Sequence, residues 1–187
     1  MGLVPARRRI RGQFLDEPLT VQGGRLLRVE GRGDLWLSPW CSGCVLFALS
    51  LDKDVLFLRE ENVVAWGDEL VWEWGRVPGG GPALLQFRGT GRLVITAIPD
   101  DLVAVRVDEG DALSILSRRL MGWVGRVVAQ AVSGEEVPPE DRYVTCAGVG
   151  VVLLSKHGNP ARSDNKPAQP GHDGPSGHRA SRPGLHR

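Results

Sequence analysis

The chain has 187 residues, of which 42% are hydrophobic and 24% charged, and its net charge of +1 gives no global reason to expect a nucleic-acid partner. This length is enough for one domain with its own core, and no stretch reaches the roughly 18 apolar residues of a membrane-spanning helix. No apolar run follows Arg7-Arg8-Arg9, so we predict a cytoplasmic protein without a signal peptide. Residues 1–18 are predicted to be an N-terminal basic arm.

Residues 19–155 are predicted to form one all-β domain. Short β-rich runs end at Gly, Pro or Asp, and many short strands with regular turns are typical of a sandwich, a barrel or a β-helix. Asp52 and Asp54 predict a turn between two strands. Residues 112–131 could be helical, but two internal glycines favour strands there. The predicted strands are Leu26–Val29, Val45–Leu51, Val55–Leu58, Leu70–Trp74, Leu84–Phe87 and Leu102–Val107.

A short motif, Gly-x-Gly-x followed by three apolar residues, occurs three times. Near-constant spacing of 58 and 59 residues indicates a repeated supersecondary unit. Paired glycines at the entry to a strand indicate a β-bulge or a positive φ, where two backbones approach closely. The predicted fold is therefore a double-stranded β-helix, that is, stacked antiparallel sheets with repeated Gly-x-Gly strands. The glycine pairs are Gly31 and Gly33, Gly89 and Gly91, and Gly148 and Gly150.

Residues 156–187 differ from the rest in composition, because Pro, Gly, Ser and His replace the apolar residues. Such a segment cannot bury enough surface to offset its chain entropy, so we predict a disordered tail. Six basic residues and two acids give this tail a charge of +4, which leaves −3 on residues 1–155 and no strong nucleic-acid signal there. All four histidines also lie in the tail: His157, His172, His178 and His186.

The body of the chain therefore contains no imidazole. Histidine is the commonest general base near neutral pH and a common metal ligand. Without it, a Ser-His-acid triad, a Cys-His dyad and a histidine metal centre are all excluded from the predicted fold. This favours a protein that is not an enzyme, with no catalytic residues, no cofactor and no metal site.

Cys41 and Cys44 form a Cys-x-x-Cys motif preceded by Trp40. Such a pair can cycle between dithiol and disulfide, so it is a candidate redox pair. That chemistry commonly uses a helix N-terminus, whereas Cys44 runs directly into a predicted strand. A zinc site would need a second pair, and Cys146 is alone. The alternative interpretation is a turn whose small thiols pack inside a hairpin.

Tryptophan is concentrated in the first half of the chain. Trp72 and Trp74 alternate with Glu73, so they share one face of a strand. Together with Trp66 they are a candidate aromatic interface, and the alternatives are a core position or the wall of a ligand site. Stacking on single-stranded nucleic acid is disfavoured, because it requires a basic groove.

The Gly-x-Gly strands, the acidic turn within Leu58–Trp66 and the run Leu84–Gly91 resemble the altered inheritance of mitochondria protein 24 family. The resemblance covers residues 20–155. It implies a fold similar to that of the tryptophan RNA-binding attenuator protein, no catalytic residues, self-association, and a membrane-organising role in the mitochondrial branch of the family. The chain departs from a typical member in its Cys41/Cys44 pair and its long basic tail.

Together these features predict a non-enzymatic β-helical binding or scaffolding protein. Its expected partners are further copies of itself and an unknown protein or membrane-associated partner. Two alternatives stay open at this stage. One is a small-ligand-binding β module, because a double-stranded β-helix can enclose a pocket. The other is a dithiol oxidoreductase that acts through Cys41 and Cys44.

Overall fold

The computed structural model describes residues 2–21, 24–39, 41–132, 137–138 and 140–158. Beyond residue 158, the predicted tail lies outside the described residues. Three 3-10 turns, Glu60–Asn62, Pro99–Asp101 and Ser117–Arg119, interrupt an otherwise all-β structure. The strands are β1 (Gly2–Pro5), β2 (Arg7–Ile10), β3 (Gln13–Pro18), β4 (Thr20–Val21), β5 (Gly24–Arg25), β6 (Leu27–Glu30), β7 (Val45–Arg59), β8 (Val63–Trp66), β9 (Val71–Arg76), β10 (Ala83–Ala97), β11 (Leu102–Val107), β12 (Ala112–Leu116), β13 (Leu120–Ala131) and β14 (Tyr143–Ser155).

Strands β7 to β14 form one antiparallel sheet built from two similar units. In the first unit, β10 pairs with β7 on one side and with β8 and β9 in succession on the other. In the second unit, β14 pairs with β13 and with β11 and β12 in the same way. The units join where Leu56–Leu58 of β7 pairs with Gly122–Val124 of β13. The prediction of an all-β fold with stacked antiparallel sheets is confirmed, and residues 112–131 are strands apart from one 3-10 turn.

Two copies of the glycine motif lie at equivalent places in the two units. Gly89 and Gly91 lie in the middle of β10, and Gly148 and Gly150 lie in the middle of β14. The φ angles of Gly89 and Gly148 are +116° and +122°, in the region that favours glycine. A Cβ atom at either Gly148 or Gly150 would collide with a carbonyl oxygen of β13, so the close backbone approach expected from the sequence is present.

The first copy of the motif, at Gly31 and Gly33, does not lead into a strand, so the prediction that all three copies open strands is wrong. Gly31 and Gly33 have φ angles of +124° and +145° and lie in bends directly after β6. Residues 34–39 continue without regular structure. The sequence match arises because glycine serves two purposes, a bulge inside a paired strand and a bend that ends one.

The turn predicted at Asp52 and Asp54 is instead a β-bulge inside the continuous strand β7. Thr90 of β10 pairs with Asp52 and Gly89 pairs with Asp54, so Lys53 is the extra residue. Lys53 has a φ of +58°, which accommodates the insertion. The strand continues because both of its halves pair with the 15-residue strand β10. Two predicted strands are therefore one.

In each unit, a buried polar residue at the end of a 3-10 turn holds the chain in place just before the next strand. Asn62 donates a hydrogen bond to the carbonyl oxygen of Thr96 in β10, with a donor–acceptor distance of 3.3 Å. Asp101 accepts a hydrogen bond from the Ser155 hydroxyl at the end of β14. Asn62 and Asp101 precede β8 and β11, which are equivalent strands. The two 3-10 turns therefore tie the start of the following strand to β10 in the first unit and to β14 in the second.

The hydrophobic core has two clusters, and each draws most of its buried residues from one unit. Leu58, Leu85 and Phe87 are fully buried in the first unit, and each contributes roughly 2 kcal/mol by apolar burial. The second unit has its own cluster around Trp123. Phe57 and Trp123 face each other across the pairing of β7 with β13, with stacked rings and centroids 4.7 Å apart. Both rings belong to the second cluster, so Phe57 of β7 packs into the core of the second unit.

The N-terminal strands form three two-stranded sheets, β1 with β6, β2 with β3, and β4 with β5. Residues 2–18, predicted to be a basic arm, form β1 to β3, and β1 pairs with a strand from beyond the predicted boundary at residue 19. Leu19 is fully buried in the core of the first unit. Its backbone N–H donates to Ala6 and its carbonyl accepts from Leu26, at 2.8 Å and 2.9 Å. Leu19 thus anchors the N-terminal strands to the large sheet.

Candidate interaction surface

The sheet of β1 and β6, which we call the ribbon, has two chemically different faces. Leu3 pairs with Val29 and Pro5 pairs with Leu27, so these four side chains share one face. The opposite face carries Val4, Arg28 and Glu30, and the ion pair between Arg28 and Glu30 measures 3.0 Å between nitrogen and oxygen. The ribbon is therefore amphipathic, with one apolar face of Leu3, Pro5, Leu27 and Val29.

The apolar face of the ribbon is open to solvent. The exposed fractions of Leu3, Leu27 and Val29 are 62%, 48% and 39%, and all eight residues of the two strands are exposed. Isolated two-stranded sheets are at best marginally stable in water and need a third strand or a packing partner. The arrangement leaves an apolar sheet face without a cover among the described residues.

A second exposed apolar segment follows the ribbon. Residues 31–39 are all exposed and contain Leu35-Trp36-Leu37 at their centre. We call this segment the arm; it is distinct from the N-terminal basic arm predicted at residues 1–18. Trp36 is 92% exposed. The positive φ angles of Gly31 and Gly33 turn the chain out of β6 and into this segment. A fully exposed tryptophan between two exposed leucines is characteristic of a binding surface rather than of a folded core.

The sequence did not identify the ribbon or the arm as a site. The strand predicted at Leu26–Val29 includes part of the pattern, because Leu27 and Val29 alternate with Arg28 and Glu30. Its partner, Gly2–Pro5, is more than twenty residues away in the chain and shows no strand pattern of its own. Pairing at this distance cannot be inferred from local periodicity.

The predicted aromatic interface of Trp66, Trp72 and Trp74 faces the core of the first unit. The rings of Trp66 and Trp72 meet edge to face, with centroids 5.4 Å apart. The indole N–H of Trp74 donates to the Glu60 carboxylate at 2.9 Å, and the Arg8 guanidinium lies 4.6 Å above the same ring. The three tryptophans are half-buried, and Arg8 from β2 covers part of this face. Their role in contact with a partner stays a prediction.

Cys41 and Cys44 lie between the arm and β7. The structure joins them in a disulfide, with Cα atoms 5.4 Å apart. The Cys44 backbone N–H donates to the Cys41 carbonyl at 3.3 Å, and Gly43 has a φ of +78°, so the motif is a β-turn. The motif is thus followed by a strand and not by a helix. Its conformation is the turn predicted from the sequence. The preceding Trp40 lies outside the described residues.

Cys146 lies in a different environment from the turn cysteines. It is fully buried in the core of the second unit, on β14 opposite Leu113 of β12 and Ala129 of β13. Burial raises the pKa of its thiol to about 11, because the charged thiolate is poorly solvated there. Cys146 is therefore a core residue, as expected from the sequence, and its thiol is inert near neutral pH.

The described residues contain no group of three or more His, Cys, Asp or Glu side chains that could hold a metal ion. None of the described helical segments is long and apolar enough to cross a membrane.

Comparison with known proteins gives a fold and not a function. No family model and no curated protein matches the chain. Among solved structures, the crystal structure of protein SPYM3_0169 from Streptococcus pyogenes is similar, with a TM-score of 0.50 and 18% sequence identity. The match covers 59% of this chain and 53% of that chain, so this chain spans about half the length of its structural neighbour. Membership of the altered inheritance of mitochondria protein 24 family stays a prediction.

Proposed function

We propose that this protein is a non-enzymatic β module of the cytoplasm that self-associates through the ribbon and the arm, and thereby acts as a scaffold. The observation that carries the proposal is the exposed apolar face of Leu3, Pro5, Leu27 and Val29 on a two-stranded sheet. A sheet of this kind gains its stability when another surface covers its apolar side.

A second copy of the chain is the partner that this face fits best. The apolar face carries no charged side chain, because Arg28 and Glu30 are paired with each other on the opposite side. Two such faces can therefore pack against each other without burying an unpaired charge. Two-fold dimers, which use the same patch on both subunits, are the commonest closed assemblies.

The arm belongs to the same proposed interface because the ribbon alone is small. A standard interface buries about 800 Å² on each partner, which is more than four modest side chains supply. The arm follows the ribbon directly in the chain, and the exposed fractions of Leu35, Trp36 and Leu37 are 56%, 92% and 39%. Tryptophan is also enriched among the residues that dominate binding energy. We expect a weak, concentration-dependent dimer with Trp36 as its main anchor.

The test is sedimentation velocity of the full chain over a wide concentration range. We expect the wild-type protein to dimerise as concentration rises and the Val29→Asp variant to remain monomeric at concentrations at least tenfold higher, because a buried aspartate would be unpaired. Since the contact is apolar, added salt should leave the dimer intact or strengthen it.

The matched control is Val128→Asp, which makes the same change at a valine on β13 that is 72% exposed. This variant should dimerise like the wild type. Circular dichroism of all three proteins would establish that each is folded. A wild-type protein that stays monomeric throughout, or equal dimerisation of the two variants, would contradict the proposal. Association that vanishes with added salt would instead indicate a charged partner surface.

A further inference from the structure

The turn of Cys41 and Cys44 has a geometry that permits reversible disulfide chemistry. The Cα separation of 5.4 Å lies within the usual range for disulfides, roughly 4.4 to 6.8 Å. The hydrogen bond from the Cys44 N–H to the Cys41 carbonyl keeps the two residues together without the sulfur–sulfur bond. The pair can therefore open and close without rearrangement of the sheet that follows.

The turn is accessible on its outer side. Ser42 and Gly43 are exposed, and a Cβ atom placed on Gly43 would meet nothing within 4 Å. Cys41 is half-buried, whereas Cys44 is 7% exposed at the start of β7. An incoming thiolate therefore reaches Cys41 more easily than Cys44. This asymmetry defines one sulfur to be attacked and one to leave.

We propose that Cys41 and Cys44 form a thiol–disulfide exchange site that accepts electrons from a dithiol protein or from glutathione. The donor thiolate attacks Sγ of Cys41, the Cys41–Cys44 bond breaks, and Cys44 leaves as a thiolate that takes a proton from solvent. A second donor thiolate then attacks the donor sulfur of the mixed disulfide and releases Cys41. The pair gains two electrons, and the donor is oxidised to its own disulfide.

The cellular setting adds to this assignment. In the cytoplasmic location proposed above, a disulfide of this kind is more typical of exchange than of a permanent cross-link. The pair also closes a loop of only four residues, so it adds little to the stability of the fold. The site follows the arm in the chain, but the exchange chemistry does not require the chain to dimerise.

The test measures the redox state of the pair in the folded protein. A Cys146→Ala background leaves only the two turn cysteines, and the protein is equilibrated in glutathione buffers from fully reduced to fully oxidised. Free thiols are then trapped with a maleimide polymer and counted by gel shift. We expect species with no free thiol and two free thiols to interconvert across this range, while circular dichroism stays constant.

Two single variants test the asymmetry. In Cys44→Ala, the remaining Cys41 should form a mixed disulfide with oxidised glutathione at least tenfold faster than Cys44 does in Cys41→Ala, because Cys41 is the accessible sulfur. Equal or reversed rates would overturn this assignment. A pair that resists reduced glutathione until the protein unfolds would show a structural disulfide, and a pair that stays reduced in oxidised glutathione would show two unreactive thiols. Either result would overturn the exchange site.

Discussion

The N-terminal region, residues 2–39, differs from the sheet region, residues 41–158, in the burial of its apolar side chains. Among the residues that the structure describes, eight of the fifteen exposed large hydrophobic residues belong to the N-terminal region, but only one of the 25 buried hydrophobic residues does. The charges differ too. Seven arginines and four acids give residues 2–39 a charge of +3, whereas 11 basic and 16 acidic residues give residues 41–158 a charge of −5.

The difference shows which part of the chain is stable in its own right. The sheet region buries a core in each of two units and joins them through the pairing of β7 with β13. The N-terminal region is held to the sheet by Leu19, by the hydrogen bonds around it and by Arg8, which lies over the ring of Trp74. Regions with few buried apolar contacts open at lower free energy than the core. The N-terminal region is thus the part most available for contact with a partner.

The largest effect is expected where the two units of the sheet region join. A Cβ atom at Gly122 would collide with the Phe57 carbonyl oxygen and lie 3.0 Å from the Leu58 Cα atom. Gly122→Ala should therefore destabilise the fold by about 3 kcal/mol, because backbone must move to admit one methyl group. Urea denaturation measures the change. Gly75→Ala is the control, since its Cβ would meet nothing within 4 Å, and a similar loss there would contradict the explanation.

A smaller effect is expected at the anchor of the N-terminal region. Leu19→Ala removes a fully buried side chain and should cost about 2 kcal/mol, at the lower end for such changes, because the N-terminal region can detach while the sheet stays folded. Hydrogen exchange should speed up in β1, β2 and β6 and remain slow in β10. Leu85→Ala, also fully buried but inside β10, should destabilise every strand. Uniform loss of protection in both variants would remove the distinction between the two regions.

The sequence predicted the sheet region well because its signals are local. In the described part of this region, the short β-rich runs and the glycine pairs coincide with strands, whereas the turn predicted at Asp52 and Asp54 is a β-bulge. The pairs Gly89/Gly91 and Gly148/Gly150 marked the equivalent strands β10 and β14. A positive φ and a close backbone approach leave only glycine as a suitable residue, so the requirement is visible in the sequence.

The candidate surface was harder to predict because it depends on long-range pairing and on exposure. The apolar face of the ribbon exists only when Gly2–Pro5 pairs with Leu27–Glu30. The motif at Gly31/Gly33 looked like a strand entry but is a bend, since no strand lies beside it to continue the ladder. Conversely, the sequence pattern suggests an aromatic interface at Trp66, Trp72 and Trp74. Composition alone cannot distinguish an aromatic side chain that packs on the core from one at an interface.

The smallest effect concerns pH and one exposed carboxylate beside the glycine pair of β10. Backbone N–H groups of Glu69 itself and of Arg92 hold the pKa of the Glu69 carboxyl below its usual value of 4.5. The backbone nitrogen of Arg92 lies 3.3 Å from Oε1 of Glu69. A lowered folded-state pKa gives stability that is present above pH 4.5 and is lost as the pH falls through the folded value.

Wild-type protein should therefore lose slightly more melting temperature than Glu69→Gln between neutral pH and a pH well below 4.5, because glutamine cannot be protonated there. The effect is small, since the carboxylate is fully exposed and solvent screens it. Differential scanning calorimetry of the two proteins at matched ionic strength measures the difference. Glu109→Gln, at an exposed turn, should follow the wild-type curve. Parallel curves for wild type and Glu69→Gln would mean that the backbone hydrogen bonds at this bulge do not depend on the charge of the side chain.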